Sequence, residues 1–155
     1  MTHPKHVALI GCGFTGTSAF YQLVDKYPVE EITIFEKSGI YGPGYPYRND
    51  ECKDYLLNNT NDTLCLTPDN KRTFLNWLRT RSNLAPEDIE ERGNLPRIYY
   101  GYFLEDTFQS TLTSAAIKNI KVTLVPNEAT SISENENGDV IVEWQDGSIK
   151  ADKVL

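Results

Sequence analysis

The chain has 155 residues, of which 39% are apolar and 24% charged, a composition typical of one globular domain. The formal net charge of -7 argues against a nucleic-acid partner, because such proteins present a basic face. No apolar stretch approaches the length of a membrane span, so no membrane association is expected. The three cysteines show no close pairing, which predicts a reducing compartment, the cytoplasm. Both histidines lie near the N-terminus without other ligands, so no metal site is predicted.

The N-terminal residues as far as Glu36 predict a parallel βαβ unit. A short β-rich run at residues 7–10 ends abruptly in a glycine turn, and a helical pattern with one apolar face follows over residues 14–26. A second apolar strand covers residues 32–35 and is closed by Glu36. This order of strand, turn, helix and strand within about thirty residues has the length that a parallel crossover needs.

Residues 39–98 predict a loop followed by a helical insert. The loop, residues 39–47, is rich in glycine, proline and tyrosine. Thr67 and Pro68 are the residue types of a helix start, so we expect an N-cap at Thr67 and a helix that continues through the apolar residues 74–78. A longer helix is expected over residues 99–118.

Residues 120–151 predict a β-meander. The strand patterns and hairpin signals in this segment are residues 121–125, 129–133 and 140–144, with Asn137-Gly138 and Asp146-Gly147. Together they favour three antiparallel strands. Residues 151–155 have the pattern of one more buried strand, at which the sequence stops. We therefore expect a truncated chain or an excised domain.

The turn between the first strand and the first helix carries the pattern G-x-G-x-x-G. Gly11 permits the tight turn, Gly13 lets a pyrophosphate approach the backbone because it has no Cβ, and Gly16 lets the helix pack closely. The first N–H groups of the helix and the positive end of its dipole can hold an anion without a lysine. Because the pattern follows a predicted strand and opens a predicted helix, it predicts a dinucleotide site.

An acidic residue stands where a dinucleotide site of this kind binds ribose. Glu36 lies twenty residues after Gly16, and its carboxylate can accept hydrogen bonds from ribose hydroxyls while it repels a 2′-phosphate, which disfavours NADP here. Its neighbour Lys37 is either a second cofactor ligand or a solvated cation. Cys12 occupies a position that needs only a small side chain, and Cys52 and Cys65 are interpreted as structural.

Beyond these residues, the whole chain resembles the N-terminal part of the FAD/NAD(P)-binding flavoproteins of the glutathione reductase-like fold. One bacterial branch of that group is similar in four segments: Gly42-Pro-Gly-Tyr-Pro-Tyr47, Leu56-Leu57-Asn58, Phe74-Leu-Asn-Trp-Leu78 and Pro96-Arg97-Ile-Tyr-Tyr-Gly101-Tyr-Phe-Leu104. The resemblance implies an α/β fold, in which a Rossmann-like βαβ FAD-binding domain with a parallel sheet carries a three-stranded antiparallel meander and a helical insert.

The same resemblance implies roles for individual residues. The residues expected to line the FAD pyrophosphate are Gly11, Gly13, Thr15 and Gly16, and Glu36 would bind the adenosine ribose. The further residues expected near the cofactor are Gly42 and Gly44 in the loop, Asn58 on the flavin side and Ala129 at the adenine. For Arg97, a phosphate or substrate contact and a structural salt bridge both stay open.

The leading hypothesis is the FAD-binding portion of a flavin-dependent, NAD(P)H-linked oxidoreductase or monooxygenase-like protein. The flavin carries the chemistry, the substrate is an unassigned small molecule, and no catalytic side chain is predicted. We expect the chain to be inactive alone, and whether it retains FAD stays open. An NAD-dependent dehydrogenase would continue the helix–strand alternation after Phe35, and a non-catalytic nucleotide-binding module would bind without turnover.

Overall fold

The computed structural model describes residues 3–50, 54–136 and 138–155. The strands are β1 (His6–Ile10), β2 (Glu31–Phe35), β3 (Lys121–Val125), β4 (Ser131–Glu134), β5 (Val140–Trp144), β6 (Gly147–Ala151) and β7 (Lys153–Val154). The helices are α1 (Phe14–Lys26), α2 (Thr73–Arg81) and α3 (Arg97–Ile117). Cys52 and Asn137, both named in the sequence interpretation, lie outside the described residues.

A parallel four-stranded sheet in the order β3-β2-β1-β7 forms the central layer. The register of β1 and β2 runs from His6 opposite Glu31 to Ile10 opposite Phe35, with α1 as the crossover between the two strands. The predicted βαβ unit is therefore confirmed. Residues 151–155 also contribute the predicted further strand, since β7 pairs with β1 in parallel.

Helices α1 and α3 cover one face of this sheet. Side chains alternate across a strand, so Val7 and Leu9 of β1 join the helix-side core while Ala8 faces the other way. In that core, the rings of Phe20 from α1 and Phe108 from α3 lie with their centroids 5.4 Å apart. Both rings are fully buried, which fixes the direction of α1 and therefore the position of its N-terminus.

The antiparallel meander β4-β5-β6 covers the opposite face. Trp144 of β5 packs edge-on against Phe35 of β2, with ring centroids 5.4 Å apart. The chain passes from β6 into β7 at Asp152, whose carboxylate accepts the backbone N–H groups of Lys5 and His6 at 2.7 and 2.9 Å. The fold is thus three layers, and the predicted α/β class with a parallel sheet and a three-stranded meander is confirmed.

Two boundaries differ from the sequence interpretation. Residues 121–125, at the start of the segment assigned to the meander, form β3 of the parallel sheet, so the meander begins at Ser131. The helix start expected at Thr67 and Pro68 is wrong, because residues 66–72 form turns and α2 begins at Thr73. The Thr73 hydroxyl accepts the N–H of Leu66 at 3.1 Å, and this contact stabilises the turn in place of an earlier helical start.

Helices α2 and α3 meet in an aromatic cluster beside the parallel sheet. Phe74 and Trp77 of α2 contact Tyr100 and Phe103 of α3, and Tyr47 packs edge-on against Tyr100 with centroids 5.1 Å apart. The cluster therefore anchors the end of the loop 39–47 against α3. Among the helices in the described part of the chain, none is long and apolar enough to cross a membrane.

Candidate functional site

A groove of about 580 Å³ lies where the glycine turn after β1 meets the loop that follows β2. Such a crevice at the carboxyl ends of parallel strands is the usual ligand position in open α/β sheets. The residues that line it and were singled out from the sequence are Gly11, Gly13, Thr15, Gly16, Glu36, Lys37 and Gly44. The structure therefore brings most of the predicted cofactor residues to one site.

In the glycine turn, Gly11 and Gly16 have the geometry that the sequence predicted for them. Gly11 has a φ of 89°, and its N–H donates to the Phe35 carbonyl at 2.8 Å, which ties the turn to β2. A Cβ on Gly16 would lie 2.1 Å from the Gly11 carbonyl oxygen, so only glycine fits. Gly13 is the N-cap of α1, and no described side chain caps that helix end. The first N–H groups of α1 thus stay available for a ligand.

The loop after β2 lies directly on the glycine turn. Gly44 has a φ of 57°, and a Cβ there would lie 2.8 Å from the Gly13 Cα. Gly42 has a φ of 117° and packs instead on the backbone of α3, where a Cβ would come within 2.9 Å of the Glu105 nitrogen. The Gly42 N–H donates to the Cys12 carbonyl at 2.8 Å. Gly42 therefore shapes the loop from behind, while Gly44 lines the groove.

The Glu36 carboxylate is held in place by three donors at the end of β2. One oxygen accepts the Cys12 N–H at 2.8 Å, and the other accepts the N–H and hydroxyl of Ser38 at 3.0 and 2.7 Å. Burial favours the protonated acid, but these hydrogen bonds outweigh it and lower the pKa of Glu36. Carboxylate oxygens can each accept more than one hydrogen bond, so this group can still accept ribose hydroxyls.

A second pocket of about 230 Å³ adjoins the groove on the meander side. It shares Gly11, Glu36 and Lys37 with the groove and adds Ala129 from the turn before β4. The Lys37 ammonium lies 3.6 Å from the Glu128 carboxylate, and both side chains are exposed. The groove at the glycine turn therefore adjoins a smaller pocket lined by Phe35 and Ala129.

Other residues singled out from the sequence lie elsewhere. Asn58 is exposed and does not line the described groove. Arg97 donates to the Leu56 carbonyl at 3.1 Å, so it holds the loop backbone in place of the salt bridge considered for it. Cys12 is fully buried, and burial raises the pKa of its thiol to about 11, as suits a structural residue.

Sequence reasoning missed Ser38 and Arg48. Ser38 holds the Glu36 carboxylate, and its signal was its position two residues after that acid. Arg48 lines the groove just after the 3-10 turn Tyr45–Tyr47. In the sequence, Arg48 could have been noticed as a cation at the end of a loop rich in glycine, proline and tyrosine. Only the fold shows that this loop returns to the glycine turn.

These residues fit a dinucleotide. The uncapped N–H groups of α1 and the fixed carboxylate of Glu36 match a pyrophosphate followed by a ribose. The missing Cβ of Gly13 makes room for the Gly44 backbone, since a Cβ there would lie 3.2 Å from the Gly44 Cα. No group of three or more histidine, cysteine or acidic side chains among the described residues could hold a metal ion.

A family model for FAD-NAD(P)-binding proteins matches residues 8–155, which is nearly the whole chain. The chain belongs to this family. The match confirms the predicted FAD/NAD(P)-binding domain, with FAD as its cofactor. The chain is also 26% identical over 150 residues to the uncharacterized protein YdhS of Escherichia coli K12, an alignment that covers 92% of this chain and 28% of YdhS. The chain thus spans less than a third of that relative.

Two solved structures share the fold. S-allyl-L-cysteine S-oxygenase from Allium sativum has a TM-score of 0.58 and 18% identity, over 96% of this chain and 35% of the oxygenase. Tetracycline destructase Tet(51) has a TM-score of 0.56 and 15% identity, over 99% of this chain and 38% of the destructase. At these identities the likeness concerns the fold alone, and this chain again spans about a third of each larger protein.

Proposed function

We propose that this chain is the FAD-binding portion of a flavin-dependent, NAD(P)H-linked oxidoreductase that acts on a small molecule in the cytoplasm. The observation that carries the proposal is the meeting of Gly13 and Glu36 in one groove that continues toward Ala129. A groove with this sequence of groups suits the pyrophosphate, ribose and adenine of a dinucleotide in that order.

Each residue has a defined task in this proposal. The N–H groups at the start of α1, near Gly13 and Thr15, hold the pyrophosphate together with the helix dipole. Glu36 accepts the ribose hydroxyls, and Lys37 flanks the adenine pocket. Bound FAD would supply the electron transfer, and the protein supplies binding and orientation.

Three further residues have less direct tasks. The Ala129 backbone contacts the adenine, and Gly42 sets the loop against α3 so that Gly44 can approach the cofactor. Asn58 reaches the flavin only if the Leu56-Leu57-Asn58 segment borders it in the whole protein. Because the chain spans 28% of YdhS, we expect no NAD(P)H oxidation by this chain alone.

The cofactor is tested by mass spectrometry of the ligand released on denaturation, together with a FAD titration followed by flavin fluorescence. Bound flavin absorbs at about 450 nm, whereas bound NAD is colourless there. We expect the released ligand to be FAD. We expect Glu36→Gln to weaken FAD binding about 10-fold or more, because an amide then replaces the carboxylate that accepts the N–H groups of Cys12 and Ser38 and would accept the ribose hydroxyls. Glu30→Gln is the matched control, since Glu30 is exposed and pairs with Lys5 outside the groove.

Release of NAD in place of FAD would support the dehydrogenase alternative and overturn the flavin assignment. A FAD affinity that is the same for wild type and Glu36→Gln would overturn the ribose role of Glu36 while leaving the cofactor identity standing.

A further inference from the structure

The guanidinium of Arg48 offers the groove a cation that the glycine turn itself lacks. We propose that Arg48 binds the diphosphate of the dinucleotide, so that the anion is held from the loop as well as from the helix. This inference rests on the proposed function, because the diphosphate belongs to the FAD assigned to the same groove.

The fold brings Arg48 to the glycine turn through a loop packed on it. Gly44 lies against Gly13, with room for no Cβ between them, and the 3-10 turn Tyr45–Tyr47 leads directly from Gly44 to Arg48. Tyr47 is anchored on Tyr100 of α3. The groove lining accordingly includes both the start of α1 and Arg48.

The Arg48 side chain is held in place but incompletely paired. Its guanidinium carbon lies 5.4 Å from the centroid of the Tyr45 ring, a cation–π arrangement. The side chain is 23% exposed, and its Nε is buried with no hydrogen-bond partner among the described residues. Asp50 Oδ1 lies 3.2 Å from that nitrogen without the alignment of a hydrogen bond. A buried donor left in this state is costly, and an anion in the groove would compensate it.

The chemistry of the guanidinium favours a phosphate as that anion. Its planar fork of N–H donors matches phosphate oxygens, and it stays charged at any physiological pH. The other cation of the groove, Lys37, also lines the pocket beside Ala129, whereas Arg48 lines the groove alone. Arg48 is therefore the cation on the diphosphate side, while Glu36 takes the ribose.

The test compares three ligands on wild type and Arg48→Met. FAD, adenosine diphosphate and adenosine are titrated, the first by fluorescence and the others by competition with it. We expect binding of FAD and adenosine diphosphate to weaken about 10- to 100-fold in Arg48→Met, the range for a lost charge-assisted hydrogen bond. Adenosine, which has no phosphate, should bind both proteins equally. Arg92→Met is the control, since Arg92 is exposed and does not line the described groove.

Two more variants separate a ligand contact from a structural role. Arg48→Lys keeps the charge but loses the planar set of N–H donors. We therefore expect it to reduce the affinity for adenosine diphosphate less than Arg48→Met does. Asp50→Asn removes the ion-pair partner. If Arg48 acted only by pairing with Asp50 to hold the loop, Asp50→Asn would weaken binding as much as Arg48→Met; we expect binding at least as tight as in wild type.

The outcomes also distinguish this inference from the proposed function. Wild type that fails to bind FAD overturns both. Wild-type binding that Arg48→Met leaves unchanged, or an equal loss for adenosine and adenosine diphosphate, overturns only the role of Arg48. If Arg48→Met reduced the affinity for FAD but not that for adenosine diphosphate, Arg48 would contact the flavin half. That outcome would also overturn its role at the diphosphate.

Discussion

At the scale of single residues, the glycine turn shows how little space the site leaves. Gly16 packs its Cα against the carbonyl of Gly11, and a Cβ would have to lie 2.1 Å from that oxygen. Gly13 and Gly44 pack against each other in the same way at the edge of the groove. Backbone contacts of this kind cannot be relieved by turning a side chain, so substitutions here displace the start of α1.

We expect Gly16→Ala to lower the free energy of unfolding by about 1–3 kcal/mol, the cost of overpacking, and to abolish measurable FAD binding. The measurement is urea unfolding followed by circular dichroism, with a FAD titration alongside. Thr15→Ala is the control for stability, because Thr15 is exposed in the same turn and should change the unfolding free energy by less than about 0.5 kcal/mol. Wild-type stability in Gly16→Ala would contradict the close approach.

The stability of the folded chain depends on pH through the carboxylate of Glu36. Hydrogen bonds from Cys12 and Ser38 hold the folded pKa of Glu36 below its ordinary value of 4.5. The unfolded state then binds the proton more readily, so the stability that this carboxylate contributes is complete above pH 4.5 and is lost as the pH falls through the folded pKa.

In urea unfolding at about pH 7 and about pH 4, we expect wild type to be more stable than Glu36→Gln at the higher pH, with the difference narrowing at the lower. Glu134→Gln serves as the comparison, because Glu134 is exposed. A difference that stays constant across the two pH values would mean that Glu36 is not held as a carboxylate in the folded chain.

At the scale of elements, the helices α2 and α3 support the loop 39–47, which carries Gly44. Phe74 of α2 is fully buried among Trp77, Tyr100 and Phe103. Tyr47 joins the same cluster through Tyr100. The aromatic packing thus links the insert to the loop that carries Gly44 and Arg48.

We expect Phe74→Ala to lower the free energy of unfolding by about 3–5 kcal/mol, because it leaves a cavity inside the cluster. At temperatures where the variant stays folded, we also expect weaker FAD binding, because the loop 39–47 loses part of its support. Asn76→Ala on the exposed side of the same helix is the control. Thermal and urea unfolding measure the first effect, and a loss below about 1 kcal/mol would show that α2 is not packed as described.

At the scale of the whole molecule, the site lies at the junction of all three layers. The helix layer supplies the N-terminus of α1, the residues that follow β1 and β2 supply Gly11 and Glu36, and the turn before the meander supplies Ala129. A dinucleotide that contacts all of them binds only the folded chain, so binding and folding are linked.

FAD at about 100 times its dissociation constant should stabilise the chain by about 2.7 kcal/mol and raise the melting temperature by roughly 5–10 °C. Differential scanning calorimetry with and without FAD measures this shift. The control is riboflavin at the same concentration, which lacks the adenosine diphosphate half and should shift the melting temperature less. Equal shifts for the two ligands would place the binding outside this groove.

Local patterns in the sequence were sufficient for the glycine turn, the position of Glu36, the βαβ unit and the meander strands β4 and β5. In each case the deciding interaction lies within the element or its adjacent turn: a backbone angle at Gly11, an alternation along β5, a hairpin at Gly147. The start of α2 could not be read in this way, since Thr73 bonds to Leu66 across a turn that competes with the expected cap at Thr67.

Tertiary structure alone decided which loop residues reach the site. Gly42 and Gly44 belong to one motif, yet Gly42 packs on α3 and Gly44 on Gly13. Arg48 lines the groove because Tyr47 is anchored on α3, a helix that begins about fifty residues later in the chain. The sequence by itself therefore determined the conformation of the glycine turn and the position of Glu36 at the end of β2, because short-range backbone geometry suffices there. The loop side of the groove was decided by long-range packing, which no local pattern encodes.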